Sequence, residues 1–361
     1  MEILKEHVFN RLSTFFSSPD ALITAYLVVP VTCIFISFLL TYIWRSLRFA
    51  LCTSKSFKGK YVLITGGSSG IGKALALKYA KLGANVIIMA RTESKLAAVL
   101  DDILNVTTSA DQSCAYMCCD VTDRENVDQV MSELIDLHGC PDTIINCHGA
   151  AYPGYFFQQD HSVFEKTMKL NYMGNVNVIK ALAPQMAARG NGEIVIVASA
   201  AAVVSFIGYS SYSPSKFALR GLADALRSEL SGFGVRVSIA YPPDTDTEGF
   251  KREKEIAPPE TAACFPADPF NSEVVATSII SSILLGDYHI QSPDLLQNML
   301  ISSMSGVTPR PYLIMEMLLA PILLLVEQLF WPWFDYQARC YKKSDRAPVF
   351  TEVEDEELKE E

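Results

Sequence analysis

The chain has 361 residues, half of them apolar, with a mean hydropathy of +0.20 and a formal net charge of −10. That length suits one large domain with appendages, and an acidic chain with no basic stripe argues against nucleic acid as a partner. The nine cysteines show no CxxC or Cys/His metal spacing, which argues against a metal site, and their scatter suits reduced thiols facing a cytosolic environment.

After an N-terminal segment over 1–20, Ala21 to Trp44 is a continuous apolar run. A helix needs roughly 20 such residues to cross a bilayer, so 21–44 is expected to be a transmembrane helix. Pro30 could kink it, which a membrane tolerates. The alternative is a buried helix of a soluble protein. A basic linker follows over 45–59, with Arg45, Arg48, Lys55 and Lys58. The excess of positive charge on that side places everything after Trp44 in the cytosol.

A globular pattern occupies 60–292. Tyr61 to Thr65 reads as a short buried strand, followed by Gly66-Gly67-Ser68-Ser69-Gly70-Ile71-Gly72 and an alanine-rich helix to Leu82. Strand, glycine turn and helix together offer bare backbone N–H groups and a helix N-terminus to a pyrophosphate. Gly66 permits the tight turn, Gly70 the approach of the cofactor and Gly72 the packing of helix on sheet, while Ser68 and Ser69 can donate to phosphate. Asn85 to Ala90 is the second strand. An acidic residue at its end would suit a free ribose 2′-OH; here Arg91 follows, with Lys95 one turn later. Cations there suit a 2′-phosphate and favour NADPH over NADH, unless they simply form part of a solvated helix face.

The alternation continues with a strand over 114–119 ending at Asp120-Val121, a helix from Asp123 to about His138, and a strand over 142–146 ending at Asn146. A long helix is expected over 164–187, containing Asn171. Strand 193–198 ends at Ser199, helix 209–230 carries Tyr212 and Lys216, and strand 235–240 runs into Tyr241. Such alternation implies an α/β fold: a Rossmann-type doubly wound parallel sheet with helices on both faces and the ligand at its carboxyl edge. The stretch 241–271 is polar and Pro-rich and reads as a long irregular substrate loop or, alternatively, a surface excursion. A helix over 272–285 and an edge strand over 288–290 close the domain. The region 293–338 is apolar again but is interrupted by Glu316, Pro321 and Glu327. Charges inside a span are costly, so membrane-associated helices anchored by Trp331 and Trp333 are favoured over a plain lipid-facing span. The alternative is a hydrophobic face that makes a homodimer. A charged, solvated tail occupies 339–361.

The chemistry centres on Tyr212-Ser213-Pro214-Ser215-Lys216. A tyrosine four residues before a lysine shares its helix face, one turn away. An adjacent ammonium is expected to lower the phenol pKa, so that it exchanges a proton with an alcohol or ketone near neutral pH. An isolated pair of this kind would be an ordinary surface feature; the motifs before it give it weight.

Taken together, Thr65-Gly66-x-x-x-Gly70-x-Gly72, Asp120-Val121, Asn146-Cys147-His148-Gly149, Asn171, Ser199 and Tyr212-x-x-x-Lys216 resemble the motifs of the short-chain dehydrogenase/reductase family, in the family's order, over about 60–288. The resemblance implies that Tyr212 is the general acid in ketone reduction and that Lys216 lowers its pKa and holds the nicotinamide ribose. It further implies that Ser199 binds the substrate oxygen and that Asn171 holds a relay water. Ile71, Asp120, Val121, Asn146, Thr245 and Thr247 would join the glycine turn in holding the cofactor. His148 stands where the family usually has a small alanine, and either packs there or serves as a second base. Within the family, GGSSGIGK, AYPPDTDTEGF and SKFALRGLADAL resemble a membrane-bound branch that reduces a long-chain 3-keto sphingoid base. Such a substrate, itself a membrane lipid, would place the enzyme at the endoplasmic reticulum membrane. The same residues would serve an anchored relative acting on a steroid, retinoid or fatty-acyl ketone. A catalytically silent membrane scaffold is the alternative of another class, against which the intact Ser199, Tyr212 and Lys216 argue.

Overall fold

The computed structural model describes residues 57–264 and 268–303, together with isolated helical positions between 32 and 47 and at 333 and 336. Apart from those positions, the expected anchor over 21–44 and the expected helices beyond 303 lie outside the described residues. Among the described residues, no helix is long and apolar enough to cross a membrane.

Seven parallel strands form one sheet: β1 (Tyr61–Thr65), β2 (Asn85–Ala90), β3 (Cys114–Cys118), β4 (Thr143–Asn146), β5 (Gly192–Val197), β6 (Val235–Ala240) and β9 (His289–Ile290), in the order β3-β2-β1-β4-β5-β6-β9. Two short strands, β7 (Thr245–Asp246) and β8 (Phe270–Asn271), pair separately. The strands read as near-continuous apolar runs because both faces are covered. In β5 all six residues are buried. Successive side chains alternate between two cores: Leu63 packs with Ile87, Ile144 and Ile194 on one face, while Val62 and Ile64 pack with Val86, Ile88 and Val195 on the other.

The helices divide between those faces. Helices α1 (Gly70–Lys81) and α2 (Glu93–Leu104) contribute Leu75, Tyr79, Leu96 and Ile103 to one core. On the other, α3 (Arg124–His138), α5 (Gly174–Arg189) and α6 (Tyr212–Ser231) contribute Leu134, Leu182 and Leu219. The chain order reverses between β1 and β4: Thr65 at the carboxyl end of β1 pairs with Met89 of β2 on one side and with Asn146 of β4 on the other. A crevice at such a reversal is where open α/β sheets bind their ligands.

Two expectations are corrected. The long helix over 164–187 is interrupted: α4 (His161–Met168) passes through a π-helical turn, Lys169–Met173, into α5. The inserted residue belongs to a class of distortion that gathers at functional sites, and Asn171 lies within it. The stretch 241–271 is mostly not irregular. Thr247 accepts a hydrogen bond from the Phe250 N–H and caps α7 (Glu248–Ile256), whose first turn carries Glu248. Ala257 is extended, as a residue before proline tends to be, and α8 (Pro259–Cys264) starts on the second proline, where a missing N–H costs nothing. The Pro-rich composition therefore marks a break between two helices of a lid.

Helix α9 (Ser272–Leu285) spans the expected residues, capped by Asn271. The start of the apolar C-terminal region forms α10 (Leu295–Ser303). Its Ile301 is buried in the core and its Gln297 side chain donates to the Tyr241 carbonyl, while Leu295 and Leu296 are exposed.

Candidate active site

The carboxyl edge of the sheet assembles the site. Gly66 and Gly70 have φ of +68° and +54°, which a side chain would strain. Gly72 faces the turn so closely that a Cβ on it would lie 2.3 Å from the Gly66 carbonyl oxygen. Ser69 occupies the N-cap position of α1 without a side-chain cap hydrogen bond, which leaves its hydroxyl available to a phosphate. Beyond the turn, Asn146 is completely buried, and both atoms of its amide lack a hydrogen-bond partner. A buried amide with no partner costs free energy, and a bound group would relieve that cost. The glycine cradle and this orphaned amide fit a dinucleotide.

Around the cradle, the Asp120 carboxylate accepts from the Thr122 N–H at 2.9 Å and from its hydroxyl at 2.8 Å. Against burial, which raises it, these bonds and the charges of Arg91 and Lys169 hold its pKa below the usual carboxylate value. Val121 is buried beside it, its carbonyl held by Asn177 at 2.9 Å. Arg91 is exposed and lines a cleft of about 370 Å³ with Thr122, Lys166 and Lys169. Lys95 instead pairs at 3.2 Å with Glu248 at the start of the lid helix. The lid lies over the cradle: the Thr247 methyl would sit 2.9 Å from a Cβ on Gly70. Thr245 is buried, with its hydroxyl donating to the Pro243 carbonyl at 2.7 Å.

The proposed reacting groups converge on the far side of this crevice. Tyr212 opens α6, and Pro214 is tolerated because the first turn has no carbonyl to receive its missing N–H. Lys216, one turn on, is 3 % exposed; its Nζ donates to the Val197 carbonyl at 3.2 Å and lies 5.7 Å from the Tyr212 ring centroid. Ser199 follows β5, its hydroxyl near enough to the Tyr212 phenol to favour the phenolate, while its Oγ accepts from the Ala201 N–H at 3.1 Å. Asn171 is fully buried. Its Nδ2 donates to the Ala150 carbonyl at 3.0 Å and to Ser215 Oγ at 2.9 Å, and its Oδ1 accepts from the Ala150 N–H at 3.0 Å. It thus ties the π-turn to the loop after β4 and to the helix of Tyr212.

The expected lowering of the Tyr212 pKa is corrected. Burial and the Glu253 carboxylate push the phenol up, with Asp244 adding to them, against the Ser199 hydrogen bond that favours the phenolate. Lys216 turns its ammonium to a carbonyl rather than to the phenol oxygen, and burial pushes its own pKa down to about 8. A phenol that keeps its proton at neutral pH is a donor, which suits reduction. His148 packs: its Nδ1 lies 2.6 Å from Thr65 Oγ1 and its Nε2 3.3 Å from the Asn175 amide. Burial and nearby Lys216 press its pKa down to about 3, so the ring stays neutral and serves as a strut between β1 and α5.

The short chain dehydrogenase model matches residues 60–257, more than half of the chain. The chain belongs to this family. It is 40 % identical over 290 residues to 3-ketodihydrosphingosine reductase of Dictyostelium discoideum, covering 76 % of this chain and 86 % of that one. It is 37 % identical over 260 residues to the enzyme of the same name from Mus musculus, covering 69 % and 76 %. Among solved structures, it resembles a short-chain dehydrogenase/reductase from Mycobacterium ulcerans with 27 % identity and a TM-score of 0.60, covering 67 % of this chain and 90 % of that one. It also resembles a short-chain dehydrogenase from Sphingobium yanoikuyae in complex with NADPH, with 25 % identity and a TM-score of 0.58, covering 65 % and 88 %. Family membership and these neighbours support a nicotinamide cofactor.

Two residues of the site were not legible in the sequence. Glu253 lies within the charge run Lys251-Arg252-Glu253-Lys254-Glu255, which reads as a solvated face. Tyr209 opens the expected helix 209–230, but the structure starts α6 at Tyr212 and leaves it in the preceding turn. Its hydroxyl donates to Glu253, and its ring centroid lies 5.7 Å from that of Tyr212. No motif signals either residue; only the folding of the lid over the catalytic helix brings them together.

Proposed function

We propose that this chain reduces 3-ketodihydrosphingosine to dihydrosphingosine (sphinganine) with NADPH in de novo sphingolipid synthesis. The observation that carries the reading is the convergence of Ser199, Tyr212 and Lys216 at the sheet's carboxyl edge beside a dinucleotide-shaped cradle. Identity to reductases of that name over most of their length supports the substrate. The glycine turn, Asn146 and Arg91 would hold NADPH, which when bound would supply a hydride to the ketone carbon. Ser199 and Tyr212 donate hydrogen bonds to the substrate oxygen as its negative charge develops, aimed beforehand in a water-poor site. Tyr212 then gives its proton to that oxygen, so the ketone gains one hydride and one proton. Lys216 keeps positive charge beneath the phenol as it empties, and Asn171 holds the loop and helix that bracket it.

The substrate is an amphiphile of the bilayer surface, which accords with a catalytic domain tethered to the endoplasmic reticulum membrane and facing the cytosol. The described helical positions Ile36, Leu39, Leu40, Ile43 and Trp44 all expose their apolar side chains, as an anchor in lipid would. NADPH oxidation by a membrane fraction containing the full chain, with 3-ketodihydrosphingosine as substrate, tests the reading. Steroid, retinoid and fatty-acyl ketones and NADH serve as comparison arms. Faster turnover of one of those ketones would assign the site to another membrane-bound branch.

A further inference from the structure

We infer that Glu253 is a specificity residue that binds the amino group beside the substrate carbonyl. The inference rests on the reading of the substrate as an α-amino ketone. Of the five charged residues Lys251 to Glu255, only Glu253 is not exposed. Lys251 pairs outward with Asp246 at 3.0 Å, and Lys254 lies over the Phe250 ring. Glu253 points inward, where the Tyr209 hydroxyl holds its carboxylate. Tyr209 is itself 7 % exposed, with its ring edge-on to Phe206 and tilted against Tyr212. Among the described residues Glu253 makes no ion pair, since no lysine, arginine or histidine nitrogen lies within 4.0 Å of it. A carboxylate held under a lid without a cation is costly, and an arriving cation would offset that cost.

The location fits the chemistry of the substrate. In an α-amino ketone the nitrogen sits on the carbon next to the carbonyl, so a group that binds it must lie beside the group that protonates the oxygen. The charge of Glu253 is felt at Tyr209, at Tyr212 and at Lys216, and Asp244 at the foot of the lid reinforces it. Lys216, whose charge reaches Glu253, is committed to the Val197 carbonyl. An ammonium paired there would also draw electrons from the neighbouring carbonyl and stabilise the alkoxide formed on reduction.

The test compares two ketones on the full chain in membranes: 3-ketodihydrosphingosine and 1-hydroxyoctadecan-3-one, which lacks the amine. Loss of a hydrogen bond to a charged group changes binding by about 10- to 100-fold. Glu253→Gln is therefore expected to lower kcat/KM for the amino ketone by about that factor and to collapse the wild-type preference for it over the amine-free ketone. Glu253→Asp, which keeps the charge on a shorter stem, is expected to restore part of the preference. An equal fall for both ketones in Glu253→Gln, or no change in their ratio, would overturn the inference while leaving the reductase reading intact. A wild-type chain that reduced the amine-free ketone but not the amino ketone would overturn both.

Discussion

Substituting Gly72 by alanine perturbs the cradle without touching any group that reacts. The added Cβ would lie 2.3 Å from the Gly66 carbonyl oxygen and 2.9 Å from its carbon, both backbone atoms. A comfortable carbon–oxygen contact is longer by roughly 1 Å, judged against ordinary packing distances, so either the turn or the start of α1 must move by about that much. Neither moves freely: Gly66 N–H donates to the Met89 carbonyl at 2.7 Å, and Leu75, Ala76 and Tyr79 of α1 are buried in the core. Overpacking of this kind costs about 1–3 kcal/mol, equivalent to a fall of about 2–12 °C in Tm for a domain of this size. A displacement of about 1 Å in groups that position a reactant costs on the order of 10²-fold in rate. The expected outcome is a folded Gly72→Ala chain with NADPH kcat/KM reduced about 100-fold, mostly through KM for the cofactor. Thermal unfolding and NADPH titration by fluorescence measure the two parts. If the variant bound NADPH within twofold of wild type, the cradle would not be where the pyrophosphate rests.

Tyr212→Phe keeps the ring and removes the proton, so kcat for ketone reduction is expected to fall by about 10²–10⁴ with NADPH affinity largely kept; single-turnover NADPH oxidation separates the two. Lys216→Met is expected to abolish reduction while raising Tm at pH 7, because it removes a buried ammonium. The folded pKa of Lys216, about 8, is below its ordinary 10.5, so the folded state binds fewer protons between those values and wild-type stability rises with pH across that window. The stability gap between Lys216→Met and wild type should therefore be widest below pH 8 and close toward pH 10.5; a gap that does not change with pH refutes the assignment. Arg91→Ala is expected to narrow the preference for NADPH over NADH by about tenfold or more, as befits the loss of one charge-assisted contact. Equal loss with both cofactors in steady-state assays would show that Arg91 acts elsewhere.

The order of elements in this chain is legible from pattern alone, because parallel strands buried on both faces must be apolar throughout and each is followed by a turn and a helix. The six long strands fall within a residue or so of their expected positions, and β1, β2, β6 and α9 at the expected ones. The motif residues are legible for the same reason: each closes a strand or opens a helix, and parallel strands put all such points on one edge. Residues 241–271 failed to show their two helices because prolines and charges look alike in a loop and in a short helix on the surface. The π-turn at Asn171 leaves no trace in the apolar spacing of a helix that continues on either side of it.

What the sequence by itself determined is which residue types lie at the sheet's edge, since chain connectivity and strand polarity settle that before any packing. Which way the Tyr212 proton is biased was decided only by the tertiary structure. Its pKa is pushed up first by burial and then by the carboxylates of Glu253 and Asp244, which only the folded chain brings beside it. Proximity along a helix guarantees a shared face, but the electrostatic balance at a buried hydroxyl is set by everything that excludes water from it.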